Sequence, residues 1–329
     1  MPSQVLRKLL PTPVFVALRN IHHALLPFRR NGWKREWSRR RLSSLILNTP
    51  PLRTASPHGA KVCVCMMCHE GDWKLALWAI KSFYIHAQCD FPLLIRLQGT
   101  ISEATLRNLR MHLPDAQFVM QSEADARVGE QLARQHCPIL ADLRTRVVHL
   151  QKLTDFAIFS PAQRIFVLDS DVLFFQKPTE ILEALSSGND TVFQQDHDSC
   201  YVLTPEEAQE HLGVTLRPRL NVGMMIFPLE CLDYVLCEKW LANSVFDPHR
   251  KTPHIEQTLW ALLAGQCGNI KLLPPSYVLS LNGLIEDLPN AKARHYVTPV
   301  RGLLFDEGMT LLADRGFLNG FTDAAKPQL

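Results

Sequence analysis

The segment that most constrains this chain is residues 164–175, an apolar run interrupted by two aspartates, Asp169 and Asp171. Its composition is typical of a buried strand that reaches the edge of a sheet at this pair. A bend at Ser170 can turn both carboxylates toward one point. Two carboxylates held together repel each other, and a divalent cation removes that repulsion. Ligands of open α/β sheets bind outside the carboxyl ends of the strands. The segment therefore predicts a metal site that binds a diphosphate.

The residues before this segment alternate between strand and helix patterns. Residues 62–68, 92–98 and 116–120 are predicted as strands, and residues 72–86 and 102–112 as the helices between them. Such alternation predicts a parallel sheet of the nucleotide-binding type. The later predicted elements are helices at 144–159, 179–186, 229–243 and 254–264, and strands at 165–168, 191–195 and from Asn221 onward.

Glycine-rich phosphate motifs are missing from the sequence. No Gly-x-Gly-x-x-Gly follows the first predicted strand, and no Gly-x4-Gly-Lys-Ser/Thr occurs in the 329 residues. These absences argue against a dinucleotide-binding fingerprint and a P-loop. If a nucleotide binds, we expect a metal to hold its diphosphate.

Charge is distributed unevenly along the chain. Residues 1–53 contain eleven Lys and Arg against one acid, so this segment carries +10; since the whole chain is +3, the remaining 276 residues carry −7. A basic arm on an acidic body suggests an anionic partner for the arm. Prolines and a glycine in residues 48–60 predict a linker, which divides the chain into an arm and linker at 1–60 and a catalytic domain at 61–329.

Trp33 and Trp37, four residues apart, share one face of a predicted basic helix. Such a helix can anchor a protein at an anionic membrane surface through residues 1–53. It can equally pack on the body and leave a solvated basic face. No motif supports nucleic-acid binding, and residues 1–28 show only a weak helical pattern.

The sequence predicts a cytoplasmic protein, peripheral to the inner face of the membrane if the arm binds lipid. No apolar run reaches the ~18 residues of a membrane span, and the short run at residues 14–18 does not make a secretory signal.

The nine cysteines are expected to be reduced, buried thiols. Cys63, Cys65, Cys68 and His69 could form half of a zinc site, but strand packing is favoured, since no second ligand pair follows.

Several motifs, in order, resemble those of GT-A glycosyltransferases, most closely the glycogenin and lipopolysaccharide galactosyltransferase group (glycosyltransferase family 8). The resemblance covers roughly residues 61–310. It rests on the first strand and helix, Lys152-Leu153, the Asp169-Ser-Asp171 motif, Asn221-Val-Gly223, Glu256-Gln257 and Arg294-His295-Tyr296. It implies a GT-A type nucleotide-diphospho-sugar transferase fold, an α/β architecture with a mostly parallel central sheet flanked by helices.

The resemblance also implies a role for each matching residue. Asp169, Asp171 and His295 would bind Mn²⁺ or Mg²⁺, with Asp169 shared with the ribose. Lys152, Gly223 and Arg301 would contact the nucleotide sugar, and a UDP-sugar is favoured. Arg301 would replace a family lysine in binding the diphosphate. The catalytic candidates are Asn221, Glu256 and Gln257.

The implied reaction is sugar transfer from a nucleotide-diphosphate sugar to a hydroxyl of a carbohydrate or glycolipid acceptor, with retention of anomeric configuration. Asp196 or Asp198 could face the acceptor. Two alternatives remain open: an inverting transferase with a carboxylate general base, and a catalytically silent sugar-nucleotide-binding or scaffold protein. A glycosidase is disfavoured, because its two carboxylates flank a bond at ~5 to 9.5 Å and do not face one ion.

Overall fold

The computed structural model describes residues 32–56, 58–186 and 190–319, in which ten strands form two sheets. The predicted helical pattern in residues 1–28 lies outside the described residues. The strands are β1 Val62–His69, β2 Leu93–Gln98, β3 Gln117–Val119, β4 Arg164–Leu168, β5 Val172–Phe174, β6 Thr191–Gln195, β7 Leu220–Pro228, β8 Ile270–Leu272, β9 Tyr277–Leu279 and β10 Ala293–His295.

Seven strands form the central sheet in the order β3-β2-β1-β4-β7-β6-β8. The pairs β1–β2, β1–β4, β2–β3 and β6–β8 are parallel, whereas β7 runs antiparallel to both β4 and β6. The predicted α/β class with a mostly parallel sheet is therefore confirmed. Because β7 is antiparallel, its first residues lie at the same edge as the last residues of β1 and β4.

Helices cover both faces of this sheet. Their bounds are α1 Trp33–Ser44, α2 Trp73–Ala87, α3 Glu103–His112, α4 Gln121–Arg134, α5 Pro138–Arg146, α6 Leu150–Phe159, α7 Thr179–Ser186, α8 Pro205–Leu212, α9 Tyr234–Leu241, α10 His254–Cys267 and α11 Thr310–Asp314. Alternate residues of β4 enter opposite cores: Phe166 and Leu168 face one, and Ile165 and Val167 face the other. This period of two explains why the central strands are apolar on both faces.

Two predicted helices differ from those observed. The helix predicted at 144–159 is interrupted between α5 and α6, where Val147 adopts an extended backbone and ends α5. The helix predicted at 229–243 is divided into the 3₁₀ turn Leu229–Cys231 and α9. Asp233 separates these two parts, because its side chain caps α9 by accepting from the amide of Leu236. Both interruptions depend on caps and backbone angles that hydrophobic periodicity does not report.

The described part of the basic arm packs on the body. The guanidinium of Arg39 binds Asp306, and Ile46 is fully buried in the core. In contrast, Trp33 and Trp37 are 60% and 61% exposed. The packed helix is thus confirmed, and membrane contact through its outer face stays a prediction.

The segment predicted as a linker is held against the body at its start. Buried Lys81 donates from Nζ to Thr49 Oγ1 and to the Pro50 carbonyl, at 2.6 Å in both cases. Burial lowers the pKa of Lys81 to about 7. The division of the chain at residue 60 stays a prediction.

The cysteines correct one expectation. Cys231 and Cys267 form a disulfide between the turn after β7 and the end of α10, with Cα atoms 5.7 Å apart. Cys63, Cys65 and Cys68 are buried free thiols, as expected for strand packing. Disulfides persist mainly in oxidising compartments, so the cysteines no longer support the predicted cytoplasmic location. That location stays a prediction. Within the described residues, no helix is long and apolar enough to span a membrane.

Candidate functional site

A cavity of about 460 Å³ opens at the edge of the central sheet where β1 and β4 end and β7 begins. Residues from seven separate parts of the chain meet there. The cavity is lined by every residue that the sequence singled out for metal, nucleotide or catalysis: Lys152, Asp169, Asp171, Asn221, Gly223, Glu256, Gln257, His295 and Arg301.

Asp169, Asp171 and His295 come together in this cavity. One potential ligand atom from each lies within 4.8 Å of the others, and no second group of three Asp, Glu, His or Cys side chains in the described ranges is as close. His295 Nε2 lies 3.2 Å from Asp171 Oδ1. Two carboxylates and one imidazole are a donor set that suits Mn²⁺ and also accepts Mg²⁺.

The second sheet brings His295 to this position. Strand β10 pairs antiparallel with β5, so that His295 lies opposite Val172, and parallel with β9. The amide of Tyr296 also donates to the carbonyl of Asp171 at 2.8 Å. The imidazole is therefore fixed to the backbone of the aspartate motif, 124 residues earlier in the sequence.

The charges of this group are already balanced by protein cations. Burial opposes ionisation of Asp171, but the hydrogen bond from His295 and the charges of Arg301 and Lys152 hold the pKa of Asp171 below its ordinary value. Burial also opposes charge on His295, yet Asp171 raises the pKa of that imidazole. A metal bound through Nε2, the nitrogen that faces Asp171, would take the place of a proton there, as expected where metal binding competes with protonation.

Lys152 approaches the site from the first turn of α6. Its Nζ donates to Asp169 Oδ1 at 2.5 Å. One turn later, buried Asp155 accepts hydrogen bonds from Arg96 and Arg144, each at 2.7 Å, and these pairs hold α6 in place. These buried pairs connect α6 to β2 and α5, on the side of the helix that also carries Lys152.

Arg301 connects Asp72, at the start of α2, to Asp171. Its Nη2 donates to Asp72 Oδ2 at 2.5 Å, and its Nε lies 3.6 Å from Asp171 Oδ2. His69 Nε2 lies 2.9 Å from the same oxygen of Asp72. The Arg301 Nε is buried and has no hydrogen-bond partner within the described residues. This guanidinium retains a donor for an anionic ligand.

Gly223 makes room for the imidazole of His295. A Cβ at this position would lie 2.2 Å from Cε1 and 2.8 Å from Nδ1 of His295, well inside van der Waals contact. The family resemblance implied that Gly223 makes room for the nucleotide sugar. In the structure, the histidine ring occupies this space.

Asn221 and Gln257 share one partner. The Asn221 and Gln257 side-chain amides donate to Asp196 Oδ2, at 2.9 Å and 3.2 Å. Asp196 is 7% exposed, whereas the side chain of Asp198 is 78% exposed. Of the two aspartates considered for the acceptor, Asp196 therefore contacts side chains of the site from behind the cavity, and Asp198 faces solvent.

Glu256 lies in the first turn of α10 and is 3% exposed. Burial raises its pKa to about 7, against the opposing influence of Lys152 and of the hydrogen bond from Trp260 Nε1, which is 2.8 Å long. A carboxyl group with this pKa can gain or lose a proton at neutral pH.

From the sequence, none of three further residues was assigned to this site, although His69 was considered as part of half a zinc site. His69 is the last residue of β1 and Asp72 follows three residues later, where the edge rule for α/β sheets could have indicated them. Gln194 lies 3.2 Å from His295 through its Oε1 and is fully buried. A buried glutamine in an apolar strand is an unusual feature, and it is the signal that could have found this residue.

Comparison with protein-family models and with curated protein sequences finds no match. Solved structures similar to this chain include mouse xyloside xylosyltransferase 1, with 12% identity, TM-score 0.48, and coverage of 73% of this chain and 99% of that one. The mannosyltransferase Ktr4p from S. cerevisiae shows 10% identity, TM-score 0.45, and coverage of 73% and 78%. The galactosyltransferase LgtC shows 14% identity, TM-score 0.43, and coverage of 81% and 98%. At these values the similarities establish neither a family nor an activity.

Proposed function

We propose that this chain is a metal-dependent GT-A glycosyltransferase that moves a sugar from a nucleotide-diphosphate sugar to a hydroxyl acceptor. One observation carries the proposal: Asp169, Asp171 and His295 converge beside two cations, Lys152 and Arg301, in one cavity at the ligand-binding edge of the sheet. The ordered motifs described above support the choice of this enzyme class.

The site fits a divalent cation and a diphosphate. The donor set contains two carboxylates and an imidazole within 4.8 Å, and the buried Nε of Arg301 retains an unused donor. We infer that Asp169, Asp171 and His295 hold Mn²⁺ or Mg²⁺ and that Arg301 and Lys152 contact phosphate oxygens. A cation bound there supplies positive charge to the diphosphate leaving group.

The order of strand ends suggests how the donor lies in the cavity. Gln98 and His69 line the side at the ends of β2 and β1, the aspartate motif follows at β4, and Asn221 lies at the start of β7. We infer that the base, favoured as uracil, lies near Gln98 and His69, and that the sugar lies near Asn221 and Glu256.

Breaking the sugar–phosphate bond leaves negative charge on the diphosphate and positive character on the sugar. Lys152 and Arg301 would stabilise the first, because their charges lie in the cavity where the diphosphate forms. Gln257 would lie beside the anomeric carbon, and Glu256 would bind donor hydroxyls. We favour attack from the face that the phosphate leaves, with retention of configuration.

A donor panel tests this function. We expect the purified protein with Mn²⁺ to release nucleoside diphosphate from a UDP-sugar, and chelation of the metal to stop the release. An anomeric NMR spectrum of the product gives the stereochemistry. Metal-dependent binding of every donor without release would support the silent binding protein, and an inverted product would support the inverting transferase.

We propose that the outer face of α1 holds the protein at an anionic membrane surface, on the cytoplasmic side, near a carbohydrate or glycolipid acceptor. Each basic residue close to such a surface contributes about 1 kcal/mol. Full-length protein is expected to sediment with anionic vesicles but not with neutral ones, and 1 M salt should release it, because screening then acts within about 3 Å.

The double variant Trp33→Ala and Trp37→Ala should sediment several-fold less. Met111→Ala, which removes a side chain that is 54% exposed on another helix, is the matched control. Equal sedimentation of wild type and double variant would contradict the membrane role, as would binding that does not depend on lipid charge or salt. Either result would mean that α1 only packs on the body.

A further inference from the structure

The end of β6 and the residue after it, Asp196, lie behind the cavity and contact three of its side chains. The register between β6 and β7 shifts between Phe193 and Gln194, which marks a bulge. Bulges near functional sites redirect side chains. Gln194 and Asp196 lie two residues apart and both are buried, whereas Gln195 between them is exposed.

Gln194 fixes the proton on His295. Its Nε2 donates to the carbonyl of Tyr277 at 3.2 Å, and its Oε1 lies 3.2 Å from His295 Nδ1. A carbonyl only accepts, so the amide nitrogen must face Tyr277 and the amide oxygen must face His295. Nδ1 therefore carries a proton, and Nε2 is the nitrogen left to face Asp171.

Asp196 fixes two amides in the same way. An ionised carboxylate only accepts, so Asn221 and Gln257 must both turn their nitrogens toward its Oδ2. The opposite end of the Asn221 amide accepts from the backbone amide of Gly223 at 2.9 Å. If either amide were rotated, oxygen would face oxygen in a buried position, which is unfavourable.

We infer that Gln194 and Asp196 are positioning residues, which set the orientation of His295, Asn221 and Gln257 without touching the substrate. A role of these orientations in catalysis depends on the proposed function. The orientations themselves do not depend on it. Side chains that orient a metal ligand typically change metal affinity 10–100-fold when removed, so we expect about that loss on removal of the Gln194 amide.

The first test follows the His295 ring in full-length, metal-free protein labelled with ¹⁵N-histidine, with His295→Gln used to assign the signal. Wild type should keep a proton on Nδ1 at every pH. In Gln194→Met, the neutral ring should move its proton to Nε2, facing Asp171. Gln194→Glu returns an oxygen to the ring and should restore the proton on Nδ1. Gln195→Met is the matched control, since it makes the same change on the exposed side of β6.

Calorimetry with Mn²⁺ and UDP measures the effect on binding. Gln194→Met should lower Mn²⁺ affinity about 10–100-fold, with Gln195→Met unchanged. The role of Gln194 would be refuted if Nδ1 of the neutral wild-type ring carried no proton. It would also be refuted if Gln194→Met showed the spectrum and the Mn²⁺ affinity of wild type.

For Asp196, the variant is Asp196→Asn and the control is Asp247→Asn, a side chain 61% exposed in a surface ion pair. The side-chain NH₂ signals of Asn221 and Gln257 should shift only in Asp196→Asn, and UDP affinity should stay within about twofold while donor turnover falls at least tenfold. Unchanged NH₂ signals would refute the role of Asp196. Shifted signals without turnover of any donor by wild type would uphold the orientation and refute the proposed transferase.

Discussion

Replacing Asp171 by Asn is expected to lower the affinity for Mn²⁺ and UDP by at least about 100-fold and to remove donor turnover. Even residues that only orient a metal ligand change affinity 10–100-fold, so a direct ligand should reach or exceed that range. Asp171 is also the partner of His295 and lies 3.6 Å from Arg301, so the change disturbs all three charges. Titration calorimetry measures the affinity, and thermal unfolding checks the fold.

Asp247→Asn is again the matched control, because surface substitutions of this kind usually change stability by less than ~0.5 kcal/mol and Asp247 lies in an exposed ion pair. Wild-type Mn²⁺ affinity in a folded Asp171→Asn variant would contradict the metal site. Lost affinity for UDP in the absence of metal would instead place Asp171 among the groups that organise the cavity.

The central strands could be predicted because their residues carry a local signal. The bounds predicted for β1, β2, β4 and β6 agree with the structure within one residue. β1, β2 and β4 are mostly apolar runs bounded by polar or turn residues, and in β6 Val192 and Phe193 enter opposite cores. The general rule for ligands at sheet edges then located the cavity, because the aspartate motif ends β4.

The second sheet could not be predicted from local patterns. Its strands β5, β9 and β10 are three residues long, and β10 pairs with a strand more than 100 residues earlier. Strands this short are selected by tertiary packing more than by propensity. The Cys231–Cys267 disulfide spans 36 residues for a similar reason, since only the fold brings α10 to the turn after β7.

In the site, too, some features could be predicted from the sequence and others depend on tertiary packing. A motif match could place His295, but it could not show that the imidazole occupies the space above Gly223 or that Gln194 orients it. These contacts join β7, β10 and β6, which are separate in sequence. Family resemblance predicts which residue types occur in the site. Only the packing shows which atoms Gly223 and the Gln194 amide contact.

Gly223→Ala is expected to lower Mn²⁺ affinity about as much as His295→Ala does. The added methyl would lie 2.2 Å from His295 Cε1, so the ring must leave the position in which its Nε2 faces Asp171. Gly129→Ala is the matched control, because a Cβ there meets nothing within 4 Å. Calorimetry with Mn²⁺ and UDP compares the variants.

The double variant Gly223→Ala with His295→Ala separates two roles for this glycine. If Gly223 serves the imidazole, the methyl costs nothing further once the ring is gone, and the two losses are strongly non-additive, as expected for residues in contact. If Gly223 instead makes room for the donor sugar, the methyl should still weaken binding of a UDP-sugar relative to UDP in the His295→Ala background. Because the ring fills the space above Gly223, we expect the first result, with equal Mn²⁺ affinities for the double variant and for His295→Ala alone.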